Sequence, residues 1–356
     1  MPASAHPVAT PSAVTFGEAL VVLVQNEPGP LEHASGFTRS LGGAEANVAI
    51  GLASCGVPTS VITRVGDDGF GRYLRDELHR LGVDTSAIGV DPLHSTGVYF
   101  KEVGGGSAAV TDLGAGRSRM HYYRSGSAGA HLSPQLLDEP AVAAALAGAA
   151  LVHTTGITPA LSGSAADAQR ALVSALRGRA LVSFDLNWRA RLWSGRETEG
   201  RAQMAGFLRS SDIALAGLDE AEQVFDVSSP EELRRAFPEP RMLVVKNDDG
   251  AVVAFDGEER IEVPVPARVE VVEAIGAGDA FASGLLAGIL HGLPLTESVA
   301  QGHRTAARAL TSVADHIAPD PAPRARAADA TTDTGPTPAF ATSASASTSA
   351  PAEEPR

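Results

Sequence analysis

The sequence predicts an α/β protein: a doubly wound, mostly parallel sheet with helices on both faces, and a small β-sheet lid. Three observations predict it. Short apolar runs alternate with helical patterns over most of the 356 residues, the order that builds parallel sheets. The chain is 44% hydrophobic but only 5% aromatic, so Ala, Val and Leu must fill the core, as suits a sheet covered on both faces. Two alternating stretches flank a Gly-rich connection, which suggests a hairpin set apart from the main sheet.

The elements follow in order. Residues 13–24, "AVTFGEALVVLV", read as a first strand. "AEANVAIGLASCG" has helix composition and ends on Gly56. "TSVITRVG" is a strand, and "GFGRYLRDELHRLG" an amphipathic helix closed by Gly82. "TGVYFKEV" and "SRMHYYRSG" are the hairpin arms; with residues from roughly 22–40, the stretch 95–125 makes the lid. "ALVHTTG", "ALVSFDLN", "DIALAG" and "RMLVVKN" are buried strands with helices between them. A strand-like "VEVVE" then precedes the helical "AFASGLLAGILHG". Residues 1–12 and 318–356 are rich in Ala, Pro, Ser and Thr. They cannot bury enough apolar surface to offset chain entropy and are expected to be disordered tails around a folded domain at 13–317.

Bulk properties exclude several classes. A formal net charge of −14 argues against a nucleic-acid or anionic-membrane surface. The one cysteine, Cys55, rules out an internal disulfide framework and a Cys-rich metal site. No uncharged apolar run is long enough to span a bilayer. The start, "MPASAHPVATPS", lacks a basic segment and an apolar core, so no signal peptide is expected and a cytoplasmic protein is.

Two stretches carry chemistry. In "EAIGAGDAF", Gly276, Ala277 and Gly278 lie at a helix N-terminus, where exposed backbone N–H groups and the helix dipole favour an anion. Asp279 beside them cannot bind that anion. It either caps the helix or acts as a base while the amides hold charge on a transferring phosphoryl group. In "GGAEANVA", Gly42 and Gly43 precede a helix with Glu45 and Asn47 in its first turn. That is either a glycine turn or a polyol site, since Asn47 both donates and accepts hydrogen bonds. Neither a dinucleotide fingerprint nor a P-loop is present.

Together these stretches resemble, in order and separation, the signatures of the ribokinase-like (PfkB) carbohydrate kinases, from about Val14 to His316. The resemblance implies a doubly wound domain with a β-sheet lid, transfer of phosphate from ATP with Mg²⁺ to primary hydroxyls of sugars, and a homo-oligomer. "RVGDDGFGRYL", "TGVYFKE", "YYRSGSAG", "LVHTTGITPALS" and "FDLNWRARLW" are similar to 2-keto-3-deoxygluconate kinases. An acid sugar fits Arg124 and Arg189, each able to form bidentate bonds to a carboxylate, although a solvated charge and an ion pair are the alternative uses of these two residues. Carried over residue by residue, Asp279 matches the base, and Gly276, Ala277 and Gly278 the anion hole. Gly43, Asn47, Tyr99, Tyr122, Arg124, Arg189 and Asp315 match substrate positions. Asn187, Gly217, Lys246, Asp248, Gly250, Gly276, Gly278 and His303 match the nucleotide side, and Glu220 falls near the Mg²⁺–phosphate network.

The chain departs from the family pattern in three places. After Lys246 the turn "NDDG" lacks a middle glycine and sets Asp248 and Asp249 near the nucleotide phosphates. Glu273, Ala274 and Ile275 replace a hydroxyl-bearing stretch, which puts monovalent-cation activation in doubt. His303 and Gly217 replace common polar residues on the nucleotide side. The rival readings are a kinase for a neutral sugar such as fructose, ribose or tagatose, and a non-catalytic sugar-binding relative with an impaired nucleotide site.

Overall fold

The computed structural model describes residues 11–247, 251–265 and 275–311. Residues 1–10 of the predicted N-terminal tail, the predicted C-terminal tail, the "VEVVE" strand, Asp248, Gly250 and Asp315 lie outside them, whereas Ser12, the last residue of the predicted N-terminal tail, begins the first strand.

The strands are β1 (Ser12–Phe16), β2 (Leu20–Gln25), β3 (Phe37–Gly42), β4 (Thr59–Gly66), β5 (Ile88–Asp91), β6 (Val98–Val103), β7 (Ser118–Tyr123), β8 (Ala149–Thr155), β9 (Leu181–Asp185), β10 (Ile213–Gly217), β11 (Met242–Lys246), β12 (Val252–Asp256) and β13 (Glu259–Val263). The helices are α1 (Ala44–Ser54), α2 (Gly69–Arg80), α3 (Pro140–Ala147), α4 (Thr158–Leu161), α5 (Gly163–Leu176), α6 (Glu197–Ser210), α7 (Leu218–Phe225), α8 (Pro230–Ala236), α9 (Ala277–Leu290) and α10 (Leu295–Leu310).

Nine strands form one sheet in the order β13-β12-β11-β10-β9-β8-β1-β4-β5. It is parallel from β11 to β5, and the β12–β13 hairpin runs antiparallel at one edge. Side-chain alternation splits its core between two faces. On β10, Ala214 and Ala216 join Phe184, Phe207 and Leu208 under α6. Ile213 and Leu215 face the other way, with Leu285 and Leu286 of α9. Each large aliphatic side chain so buried contributes about 1.5–3 kcal/mol. The glycines of α9 serve packing as well. A Cβ on Gly284 would meet Thr305 Oγ1 at 2.2 Å, and one on Gly288 would meet the Ser298 backbone at 2.8 Å, so only glycine lets α10 approach this closely.

A second sheet has the order β3-β2-β6-β7. Its β6–β7 pair is the predicted antiparallel hairpin. One strand boundary differs from the sequence reading. Residues 13–24 are not one strand: β1 belongs to the large sheet and β2 to the small one. The break at Gly17–Ala19 is held by Ala19 N–H donating to Thr63 Oγ1 (3.3 Å), and it leaves Glu18 buried between the sheets. Apolar runs on both sides of Gly17 and Glu18 hide such a break, because both strands are buried. The β12–β13 hairpin is absent from the sequence reading too, although its signal is local: a Val-rich run ends at Asp256-Gly257, and Asp256 pairs with Glu259 across a two-residue loop.

Candidate active site

The carboxyl ends of β1, β8, β9, β10 and β11 open toward the small sheet, where open α/β sheets bind ligands. A cleft of about 330 Å³ lies there. It is lined by Gly43, Asn47, Tyr99, Tyr122, Arg124, Asn187, Arg189, Glu220, Lys246, Gly276, Gly278 and Asp279. Twelve positions scattered over the chain thus meet at one place. Glu18, Glu45 and Asp185 line it too.

Gly276 is the N-cap of α9, in the left-handed region at φ 80°. The amides of Ala277 and Gly278 lie at the N-terminus of α9, ahead of the bond from Ala280 N–H to Gly276 O (2.8 Å), the place in a helix where backbone N–H groups can face an anion. Asp279 sits in the first turn and makes no capping bond. Its carboxylate instead crosses to α1, where Asn47 Nδ2 donates to Oδ2 (2.8 Å). Asn47 is placed by Gly43. That residue has φ 120°, and a Cβ on it would lie 2.3 Å from the Glu18 carbonyl oxygen, so glycine alone permits this entry into α1.

Charge governs the floor of the cleft. Lys246 Nζ donates to Asp185 Oδ2 (2.8 Å). Burial opposes the ammonium, but Asp185, Glu220 and Asp279 outweigh it and hold its pKa above the ordinary lysine value. Arg189 Nη1 donates to Glu220 Oε1 (3.2 Å) and to the Trp188 carbonyl (3.1 Å). Arg124 pairs with the buried Glu18. Burial pushes the Asp279 carboxyl up to about 7, and repulsion from Asp185 adds to it, while Asn47, Lys246 and Arg189 pull it down. Burial likewise raises Glu18, Glu45 and Glu220. A carboxyl near neutrality beside a helix N-terminus can take a proton from a hydroxyl at physiological pH.

Three predicted residues stand apart. Ala277 offers only its amide. Gly217 starts α7 and its amide donates to Glu220 Oε2 (3.4 Å), without lining the cleft. His303 is buried on α10, with Nε2 3.3 Å from the Val263 carbonyl and its ring edge-on to Phe281. Three lining carboxylates have no role in the sequence reading, which names Glu45 only as a first-turn residue and omits Asp185 and Glu18. Glu45 accepts from Thr155 Oγ1 (2.7 Å) and Thr158 Oγ1 (2.9 Å). Asp185 ends β9 two residues before Asn187, a position that could have marked it. Glu18 had no local signal, since its partners Ser127 and Arg124 lie over a hundred residues away.

Among the described residues no cluster of three or more His, Cys, Asp or Glu is arranged to hold a metal, and no helix is long and apolar enough to cross a membrane.

Known proteins agree with this geometry. Residues 10–321 match the model of the pfkB family carbohydrate kinases. The chain is 36% identical over 285 residues to the 2-dehydro-3-deoxygluconokinase of Thermoproteus tenax, covering 79% of this chain and 83% of that protein. A crystal structure of a PfkB protein from Polaromonas sp. JS666 superposes with a TM-score of 0.73 at 35% identity, covering 84% of this chain and 95% of that one. A sugar kinase from Pyrococcus horikoshii in complex with ATP gives a TM-score of 0.73 at 26% identity, over 86% and 95% of the two chains. With a glycine-bearing helix N-terminus, a carboxyl tuned by burial and a second, small sheet around one cleft, this chain belongs to the pfkB family of carbohydrate kinases and is an ATP-dependent sugar kinase.

Proposed function

We propose that the protein transfers phosphate from ATP to the terminal primary hydroxyl of a 2-keto-3-deoxy sugar acid, 2-keto-3-deoxygluconate in the first instance, with Asp279 as general base. One observation carries the reading: the Asp279 carboxylate, held by Asn47 at the N-terminus of α9, shares its cleft with two arginines, Arg124 and Arg189. The names of relatives such as the Thermoproteus tenax kinase support the substrate.

In this mechanism the acceptor hydroxyl gives its proton to Asp279. Asn47 keeps the receiving oxygen in place. The amides of Ala277 and Gly278 hold the charge that develops on the transferring phosphoryl oxygens. Lys246 sets a positive charge on the same side, and Arg124 and Arg189 orient the sugar by its carboxylate. The lid strands carrying Tyr99 and Tyr122 exclude water, which otherwise competes as acceptor. Mg²⁺ fits the nucleotide end of the cleft: Asp185 Oδ1 and Asn187 Oδ1 are buried oxygens without a hydrogen-bond partner, and Glu220 lines the same cleft. These groups would hold the ion through its waters, as Mg²⁺ prefers. When bound it would offset the negative charge of the phosphates.

A second reading has an observation of its own. Both arginines already pair with carboxylates, Arg124 with Glu18 and Arg189 with Glu220, which favours a neutral sugar. ADP release with Mg·ATP across 2-keto-3-deoxygluconate, 2-keto-3-deoxygalactonate, gluconate, fructose and ribose separates the two. Strong turnover on a keto-deoxy acid upholds the proposal. Turnover confined to fructose or ribose overturns the substrate while keeping the base.

A further inference from the structure

The carboxylate of Glu18 stands where the chain passes from the large sheet to the lid, between β1 and β2. It lines the same cleft as Asp279. Oε1 accepts the Ser127 hydroxyl, and Oε2 forms the ion pair with Arg124 Nη2. The pair is sealed, with the Glu18 side chain 1% and the Arg124 side chain 10% exposed. Glycines close around the acidic head. A Cβ on Gly129 would meet Glu18 Cγ at 2.4 Å, and one on Gly97 would meet Oε1 at 2.9 Å. The carboxylate therefore has very little room to move.

Arg124 comes from the other side. It follows β7, the outer strand of the lid, and its guanidinium lies 5.5 Å from the Tyr122 ring centre. Its buried Nε has no hydrogen-bond partner. A guanidinium offers five N–H donors in a rigid fork, so a contact to Glu18 through Nη2 leaves donors for a second acceptor. A buried ion pair is weak ground for stability, because desolvation offsets the attraction. It is good ground for orientation, since it fixes which edge of the fork faces the cleft.

We infer that Glu18, braced by Ser127, is a positioning residue that holds the Arg124 guanidinium at the angle from which it reads the carboxylate of an acid sugar. The inference rests on the proposed carboxylate role of Arg124. Glu18 touches neither substrate nor nucleotide in this scheme; it acts through the arginine.

The test is a double-mutant cycle in the full-length protein. Glu18→Gln keeps the size of the side chain and an acceptor for Ser127. Initial rates with 2-keto-3-deoxygluconate and Mg·ATP are compared for the wild type, Glu18→Gln, Arg124→Ala and the double variant, with thermal melts as a check on folding. Glu18→Gln is expected to raise KM for the acid sugar about tenfold while kcat and KM for ATP stay within about twofold. On top of Arg124→Ala it should add almost nothing, because the residue it positions is already gone. Additive effects, or an unchanged KM in Glu18→Gln, overturn the inference. If Arg124→Ala itself leaves KM unchanged, the carboxylate role of Arg124 fails and this inference falls with it, a distinct outcome. Should Glu18→Gln not fold, Ser127→Ala takes its place: a KM raised about threefold supports the brace, and an unchanged KM overturns it.

Discussion

Replacing Asn47 by Leu tests how Asp279, the proposed base, is tuned. Asn47 Nδ2 is the one side-chain hydrogen bond to the Asp279 carboxylate among the described residues, and it favours the ionised form. Leu keeps the same branched heavy-atom skeleton, although it is bulkier, and donates nothing. A hydrogen bond to a charged group is worth about 1.5–3 kcal/mol, and about 1.4 kcal/mol corresponds to one pH unit. The sign follows from the role. A base works when ionised, so kcat/KM rises with pH through the pKa of Asp279, about 7 in this environment. Loss of the donor leaves burial and Asp185 less opposed, and the limb should move up by about one to two units. For a one-unit move, the ionised fraction at pH 7 drops from about one half to about one tenth, a fivefold loss that vanishes near pH 9.5. The assay is kcat/KM for the sugar from pH 5.5 to 9.5 at saturating Mg·ATP. A pH-independent drop would report a contact between Asn47 and substrate and leaves the limb readable. A limb that stays in place, or moves down, refutes the claim that Asn47 holds Asp279 ionised.

Other substitutions probe the same site. Asp279→Asn should reduce kcat by at least about 10²-fold with sugar binding by calorimetry nearly intact; near-normal turnover sinks the base assignment. Arg189→Ala should raise KM for the keto-deoxy acid far more than for any neutral sugar accepted, and equal losses count against its carboxylate role. Lys246→Met strands Asp185, whose side chain is 3% exposed; breaking such a pair costs about 3–5 kcal/mol, read as a shifted urea midpoint, and an unshifted midpoint refutes the pairing. Gly43→Ala places a Cβ against the Glu18 carbonyl at φ 120°; a strain of about 1–3 kcal/mol should appear in thermal melts, and an unchanged Tm would show that the entry into α1 can relax.

Much of this protein can be read from its residue order. Period-2 and buried apolar runs located β4, the β6–β7 hairpin and the parallel strands β8 to β11, because a strand's pattern depends only on near neighbours. Gly56 and Gly82 ended α1 and α2 for the same local reason: each has positive φ. Glycine at 276 and 278 beside Asp279 also marked the N-terminal end of α9 without coordinates. The alternatives left open at that level needed the third dimension. Whether Asp279 caps α9 or faces a cleft turned on Asn47, 232 positions away in the chain. Whether Arg124 and Arg189 are solvated or paired turned on Glu18 and Glu220. The split of residues 13–24 between two sheets depended on partners contributed by β4 and β6. Local sequence determines which elements form, since propensity and periodicity act over a few residues. Burial, ion pairing and the displaced pKa of Asp279 are sums over groups from the whole chain, and only the tertiary structure brings those groups within a few ångströms of one another.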